Sequence, residues 1–151
     1  MTGESDDLTD IDTFANAVTF WTAARTLIQA NTGEEPRPLS AIFALLGFSI
    51  ENGLKTVLQF RAHQPLKSWK HSHNLRDLRM MAADYGLSIS GSSTGIIDAL
   101  SPYHHAHLFR YPKKMPGTFP SPQKIEGACD ELLRKTSALI DLEARRKTTN
   151  R

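Results

Sequence analysis

The stretch from residue 39 to residue 61 constrains the fold more than any other part of this 151-residue chain. Its first half is almost continuously apolar, with the side chains Leu39, Ala41, Ile42, Phe43, Ala44, Leu45, Leu46, Phe48 and Ile50. A helix that is apolar on nearly every side has to be covered by other elements on those sides. The pattern therefore predicts a central helix from about Pro38 to Arg61, enclosed by the rest of the chain.

The second half of this helix carries its polar residues on one side. Glu51, Asn52, Lys55 and Gln59 follow each other at helical spacing, and Glu51 can pair with Lys55 because the two are four residues apart. Two interpretations stay open. Either the pair lies on the solvent side of the helix, or it lines a cleft, because a helix buried on most sides has little reason to keep charged residues.

Two long helices are predicted at the ends of the chain. The first begins with a capping arrangement at Thr9 and ends near Asn31, because apolar residues recur between them at a spacing of three to four. The last opens at Ser121 and Pro122, since proline is tolerated in a first helical turn. Its inward-facing residues are Ile125, Ala128, Cys129, Leu132, Thr136, Leu139 and Ile140, and it is expected to fray into a basic tail.

Two shorter helices are predicted between the central and the last helix. Asn74 can cap the first of them, and Gly86 is a natural stop. The next stretch, residues 87–95, is rich in serine and glycine and predicts a loop. We expect the helix after that loop to be short or broken, because Pro102 cannot donate a backbone hydrogen bond.

Helical segments without a convincing strand predict an all-α bundle. We expect an acidic flexible N-terminus at residues 1–8, one domain at residues 9–144 and a basic tail at residues 145–151. The acidic start is unlike a signal peptide, and we expect no membrane span, so a cytoplasmic protein is predicted. The single cysteine, Cys129, lies within an apolar pattern and is expected to be a small buried residue.

Five of the six histidines fall into two clusters beside basic residues. The first cluster contains His71 and His73 with Arg76; the second contains His104, His105 and His107, followed by Arg110, Lys113 and Lys114. Imidazoles and fixed cations together suit a phosphate group. The predicted phosphate-binding residues are His73, Arg76, Tyr111, Lys113 and Lys114. The alternatives are a solvated charged surface and, for the second cluster, histidines that cap or pack at a helix end.

Three short motifs in this order resemble the HEPN superfamily of small helical bundles. They are the apolar helix with Glu51 and Lys55, the run His73-Asn74-Leu75 followed by Leu78, and Arg110-Tyr111-Pro112 before the last helix. The resemblance covers roughly residues 10 to 143. It implies an up-and-down four-helix bundle with an additional short helix, and frequent homodimerisation. It also implies RNA cleavage, nucleotide binding or a partner nucleotidyltransferase, in defence and toxin–antitoxin systems.

The usual ribonuclease signature of that superfamily is an arginine and a histidine with four to six residues between them. No arginine of this chain has it, since Met115, Pro116 and Gly117 occupy the positions after Arg110. The chain therefore resembles a divergent member. RNA cleavage needs a base, an acid and a cation, which His104, His107 and Arg110 can supply, and two copies of that face can meet in a dimer. If the protein is an enzyme, a metal-independent ribonuclease is expected.

No cofactor is predicted. The histidines have no cysteine or carboxylate at a familiar zinc-ligand spacing, and a phosphate-binding glycine loop and a nucleophile elbow are both missing from the sequence. Two functional classes remain. The first is an RNA- or nucleotide-binding module with residual ribonuclease activity. The second is a non-catalytic interaction module that dimerises or binds a nucleotidyltransferase, in which the charged loops are only solvated.

Overall fold

A computed structural model describes residues 10–30, 39–63, 72–106 and 118–149. These residues form five α-helices and no strand, which confirms the all-α prediction. The helices are α1 (Asp10–Ala30), α2 (Leu39–Arg61), α3 (Leu75–Asp84), α4 (Gly91–His105) and α5 (Pro122–Thr149). The expected cap Thr9 and the expected flexible N-terminus lie outside the described residues. Residues 145–149 of the expected tail belong to α5.

The prediction of a central helix is confirmed, because α2 packs against each of the other four helices. Leu46, Ile50, Leu54 and Leu58 are fully buried along it. Full burial of one such side chain contributes roughly 1.5–3 kcal/mol. By length and composition alone α2 also qualifies as a membrane span, but most of its apolar stretch is buried inside the protein, as in the core helix of a soluble protein.

The short helix α3 begins and ends where the sequence predicts. The Asn74 side chain accepts a hydrogen bond from the Asp77 backbone N–H at 3.0 Å. Gly86 follows the helix with a φ of 102°, a conformation that a side chain would strain. Leu75, Leu78 and Ala82 face the core. His73 directly precedes the Asn74 cap, so the cap and the core contacts of α3 fix its position relative to the other helices.

The prediction of a short or broken fourth helix is wrong. α4 runs without interruption for 15 residues and passes through Pro102, beyond which the Ala106 N–H still bonds to the Pro102 carbonyl at 3.2 Å. Its start lies inside the expected loop: Ser90 is the N-cap, its hydroxyl oxygen accepts a hydrogen bond from the Ser93 backbone N–H at 3.2 Å, and Glu131 of α5 supports this cap. The Glu131 carboxylate accepts hydrogen bonds from the Ser90 N–H, the Ser90 hydroxyl and the Ser93 hydroxyl. A carboxylate at a helix N-terminus also interacts favourably with the helix dipole.

Candidate functional site

A buried carboxylate lies at the centre of the candidate site. Glu51 is 6% exposed, and its Oε1 atom lies 2.8 Å from His73 Nδ1 and 2.9 Å from His104 Nε2. Its other oxygen, Oε2, accepts a hydrogen bond from Lys55 Nζ at 3.1 Å. We call these four residues the Glu51 network. Lys55 is only 4% exposed, so the interpretation of Glu51 and Lys55 as a solvent-side pair is wrong.

Three helices bring the network together. α2 supplies Glu51 and Lys55 one turn apart, α4 supplies His104 in its last turn, and His73 precedes the cap of α3. A second set of hydrogen bonds joins the start of α3 to α4. The Ser101 hydroxyl accepts from the Arg76 N–H at 3.1 Å and donates to the Asn74 side chain at 3.2 Å. The position of His73 against His104 is therefore set by backbone and cap contacts as well as by the carboxylate.

A glycine of α2 makes room for the His104 ring. A Cβ atom at Gly47 would collide with His104 Nδ1, so only glycine lets the imidazole approach the helix this closely. The Phe48 ring meets the same imidazole edge to face, with ring centroids 5.3 Å apart. These contacts hold the His104 ring in one orientation, with Nε2 directed at Glu51.

Glu51 is ionised in this environment. Burial alone would raise the pKa of its carboxyl, but the hydrogen bond from His104, the charge of Lys55 and the hydrogen bond from His73 outweigh burial and lower the pKa to about 2. An ionised carboxylate only accepts hydrogen bonds. Both imidazoles must therefore donate to it: His73 carries its hydrogen on Nδ1, and His104 carries one on Nε2.

The two histidines differ in their access to solvent. The His104 side chain is 3% exposed, whereas that of His73 is 31% exposed. If His73 is neutral, its lone pair lies on Nε2, because Nδ1 bears the hydrogen. His104 is thus an internal partner of Glu51, and His73 is the imidazole of the network that a bound molecule can reach.

The structure brings together four of the predicted site residues: Glu51, Lys55, His73 and His104. Arg76 is exposed in the first turn of α3, close to His73 in the chain. The other predicted residues lie outside the described residues; they are His107, Arg110, Tyr111, Lys113 and Lys114. Sequence reasoning missed Gly47 and Ser101. A glycine within the apolar first half of α2 was the one available signal for Gly47.

Among the residues that the structure describes, no group of three or more histidine, cysteine, aspartate or glutamate side chains is arranged to hold a metal ion. The chain matches no protein-family model, and no curated protein or solved structure is significantly similar to it. The functional argument is therefore built on the chemistry of the Glu51 network.

Proposed function

We propose that this protein is a HEPN-like helical module of the cytoplasm that binds RNA or a nucleotide, has residual ribonuclease activity and acts in a defence or toxin–antitoxin system. The observation that carries the proposal is the Glu51 network, in which a buried carboxylate holds imidazoles from two separate elements. The five described helices suit the up-and-down bundle with one short helix that the resemblance implies. A homodimer is part of the same proposal.

If the Glu51 network served only to stabilise the fold, burying its charges would cost free energy that apolar side chains would not. Moving a charged group out of water costs several kcal/mol per ion, and apolar side chains in the same places often stabilise a core as well or better. Strongly perturbed, buried ionisable groups are concentrated at functional sites. Burial of Glu51 and Lys55 beside an imidazole that reaches solvent therefore supports a site for chemistry or binding.

The charges around His73 favour an anionic ligand. Arg76 is exposed three residues after His73, and the segment that follows α4 in the sequence contains Arg110, Lys113 and Lys114. The Glu51 and Lys55 charges cancel within the network, which leaves Arg76 as an exposed cation close to His73 in the chain. A guanidinium group binds phosphate through paired hydrogen bonds, and an imidazole N–H can add a further donor.

Binding of a labelled mixed-sequence RNA across a salt series tests this function. We expect the affinity to fall steeply with salt, with a log–log slope of about −0.7 for each phosphate contacted. Arg76→Ala should weaken binding and reduce the slope by about one contact. The control is Arg134→Ala, which removes the same charge from an exposed pair on α5 and should leave binding unchanged. Absence of salt-sensitive binding would contradict the proposal.

A protein-interaction module that partners a nucleotidyltransferase is the alternative. One observation favours it: α1 exposes Ile11 by 69%, and Phe14 and Val18 of the same helix are only partly buried. An apolar interface on this helix would be almost insensitive to salt. Ile11→Glu should then abolish self-association or partner binding, measured by sedimentation, while leaving RNA affinity unchanged.

A further inference from the structure

We infer that an open cavity between α4 and α5 binds a small molecule that has an apolar body and one anionic group. Residues of both helices and residues 118–120, which precede α5, line this cavity. The site goes beyond the proposed function, because it lies away from the Glu51 network and does not depend on RNA binding. The class of ligand follows from the apolar lining and from a lysine that belongs to it.

The cavity lies between the N-terminal turns of the two helices. Its volume is about 700 Å³, which is within the range of roughly 300–1,000 Å³ that is usual for small-molecule sites. The two helices contribute to its lining Ser92, Ser93 and Ile96 from α4, and Lys124, Gly127 and Ala128 from α5. Ile96 precedes His104 by eight residues, which corresponds to about 12 Å along a helix. The cavity is therefore separate from the Glu51 network.

The apolar lining of the cavity is held in place by the core of the protein. The ring of Phe119, which also lines the cavity, meets the rings of Phe43 and Tyr103 edge to face, with centroids 5.2 and 5.1 Å away. Ile96 is partly buried against the hydrophobic core, and Ala128 is buried. A ligand does not have to order these side chains, and preorganisation of this kind lowers the free-energy cost of binding.

The charge of the lining favours an anionic group on the ligand. In the part of the chain that the structure describes, the Lys124 ammonium group forms no ion pair or hydrogen bond, and none of the residues that line the cavity is acidic. Glu131 accepts a hydrogen bond from the Ser93 hydroxyl at 2.8 Å but does not itself line the cavity. Ser92 and Thr118 are exposed and add hydroxyl donors. A carboxylate, sulfonate or phosphate is therefore the complementary group.

Two fluorescent probes with the same aromatic body test the cavity. Anilinonaphthalene sulfonate carries one anionic group, whereas N-phenylnaphthylamine has no charge. Both fluoresce more strongly when they leave water, so a fluorescence titration gives the Kd of each. We expect both probes to bind the wild-type protein and the sulfonate to bind more tightly. Absence of binding by both probes would overturn the inference.

Lys124→Met tests the contribution of the charge, because methionine keeps an apolar stem and removes the ammonium group. We expect the sulfonate to bind about fivefold more weakly, the upper end for an exposed ion pair, and the neutral probe to bind as before. The control is Lys135→Met, which removes an exposed cation of α5 that does not line the cavity. An unchanged Kd for the sulfonate in Lys124→Met would overturn the anionic class of ligand.

Gly127→Leu tests the location of the site. A Cβ atom at Gly127 meets nothing within 4 Å, so a leucine side chain can occupy the cavity without disturbing the fold, and thermal unfolding should confirm this. We expect both probes to bind at least about tenfold more weakly, because the leucine takes their apolar contacts.

The control is Gly95→Leu, at an exposed position of α4 that is equally open and does not line the cavity. Probe binding should be unchanged in this variant, and equal effects of the two glycine substitutions would overturn the inference. A mixed-sequence RNA should leave the bound sulfonate in place. Displacement of the probe by RNA would show that the cavity belongs to an RNA interface, and would overturn a separate ligand site.

Discussion

Two buried polar side chains lie two residues apart on α2 and serve different purposes. Ser49 donates a hydrogen bond to the Ala17 carbonyl at 2.6 Å and lies 3.1 Å from Cys129 Sγ, which donates to it. This neutral chain joins α1, α2 and α5. Glu51 joins α2, α4 and the start of α3, but does so with an ionised carboxylate and a buried lysine. Both groups are satisfied, yet only the second contains charge.

The pKa shifts of the buried Cys129 thiol and the buried Glu51 carboxyl have opposite directions. At Cys129 burial raises the pKa of the thiol to about 12, so the thiol stays protonated and unreactive, as the sequence pattern predicts for a small buried residue. At Glu51 the donors around the carboxyl outweigh burial and lower its pKa to about 2. The comparison indicates that the Ser49 chain holds helices together, whereas the Glu51 network maintains a charge.

The largest expected effect comes from removing that charge. Glu51→Ala leaves Lys55 buried without its carboxylate, and breaking one side of a buried ion pair costs about 3–5 kcal/mol. Urea unfolding measures the loss. The double variant Glu51→Leu with Lys55→Met removes both charges and should regain most of the stability. If the double variant is as unstable as Glu51→Ala, the cost does not come from the unpaired lysine.

Acid should destabilise the protein through Glu51. Its folded pKa of about 2 lies below the ordinary 4.5, so the stabilisation is fully present above pH 4.5 and is lost as the pH falls towards 2. A difference of this size corresponds to roughly 3 kcal/mol. Unfolding free energies measured from pH 5 to pH 2 should fall more steeply in the wild type than in Glu51→Gln. Equal slopes would show that Glu51 titrates normally.

Two glycines provide a matched test of the space around His104. Gly47→Ala places a methyl group against the imidazole, and overpacking of this kind costs about 1–3 kcal/mol. Gly95→Ala, within α4, meets nothing within 4 Å and should stabilise the protein by about 0.5–1 kcal/mol. Thermal unfolding compares the two. Stabilisation by both substitutions would mean that His104 does not lie against α2.

The smallest expected loss of stability belongs to the neutral chain. Ser49→Ala removes two hydrogen bonds, but the Ala17 carbonyl stays within its helix and the thiol is a weak donor, so the loss should be about 1 kcal/mol. Urea unfolding again measures it, and RNA binding should not change. A loss as large as that of Glu51→Ala would remove the distinction between the two groups.

Local signals explain what the sequence could predict of the fold. The apolar run of α2 and the cap and stop residues of α3, Asn74 and Gly86, act on their own neighbours, and the structure agrees with them. The start of α4 was missed although its N-cap, Ser90, is local; the support that Glu131 gives to this cap comes from α5, about forty residues away. Only the contribution of Glu131 leaves no mark in the local sequence.

In the candidate site, too, local contacts could be predicted from the sequence and long-range contacts could not. The spacing of Glu51 and Lys55 predicts their pairing, because four residues are one helical turn. The meeting of His73 with His104 on one oxygen depends on how α3 and α4 dock against α2, and this cannot be read from spacing. The tautomers follow only once the shared acceptor is known.

The ionisation of Glu51 in the folded protein is tested most directly by a carbon-13 NMR titration of its side-chain carboxyl, assigned by its loss in Glu51→Gln. We predict that the carboxyl stays ionised down to a pH near 2. A titration at or above the ordinary value of 4.5 would contradict this. The carboxyl would then have an ordinary or raised pKa. The assignment of the hydrogens to Nδ1 of His73 and Nε2 of His104 would lose its physical basis, because it assumes that the carboxylate is ionised and only accepts.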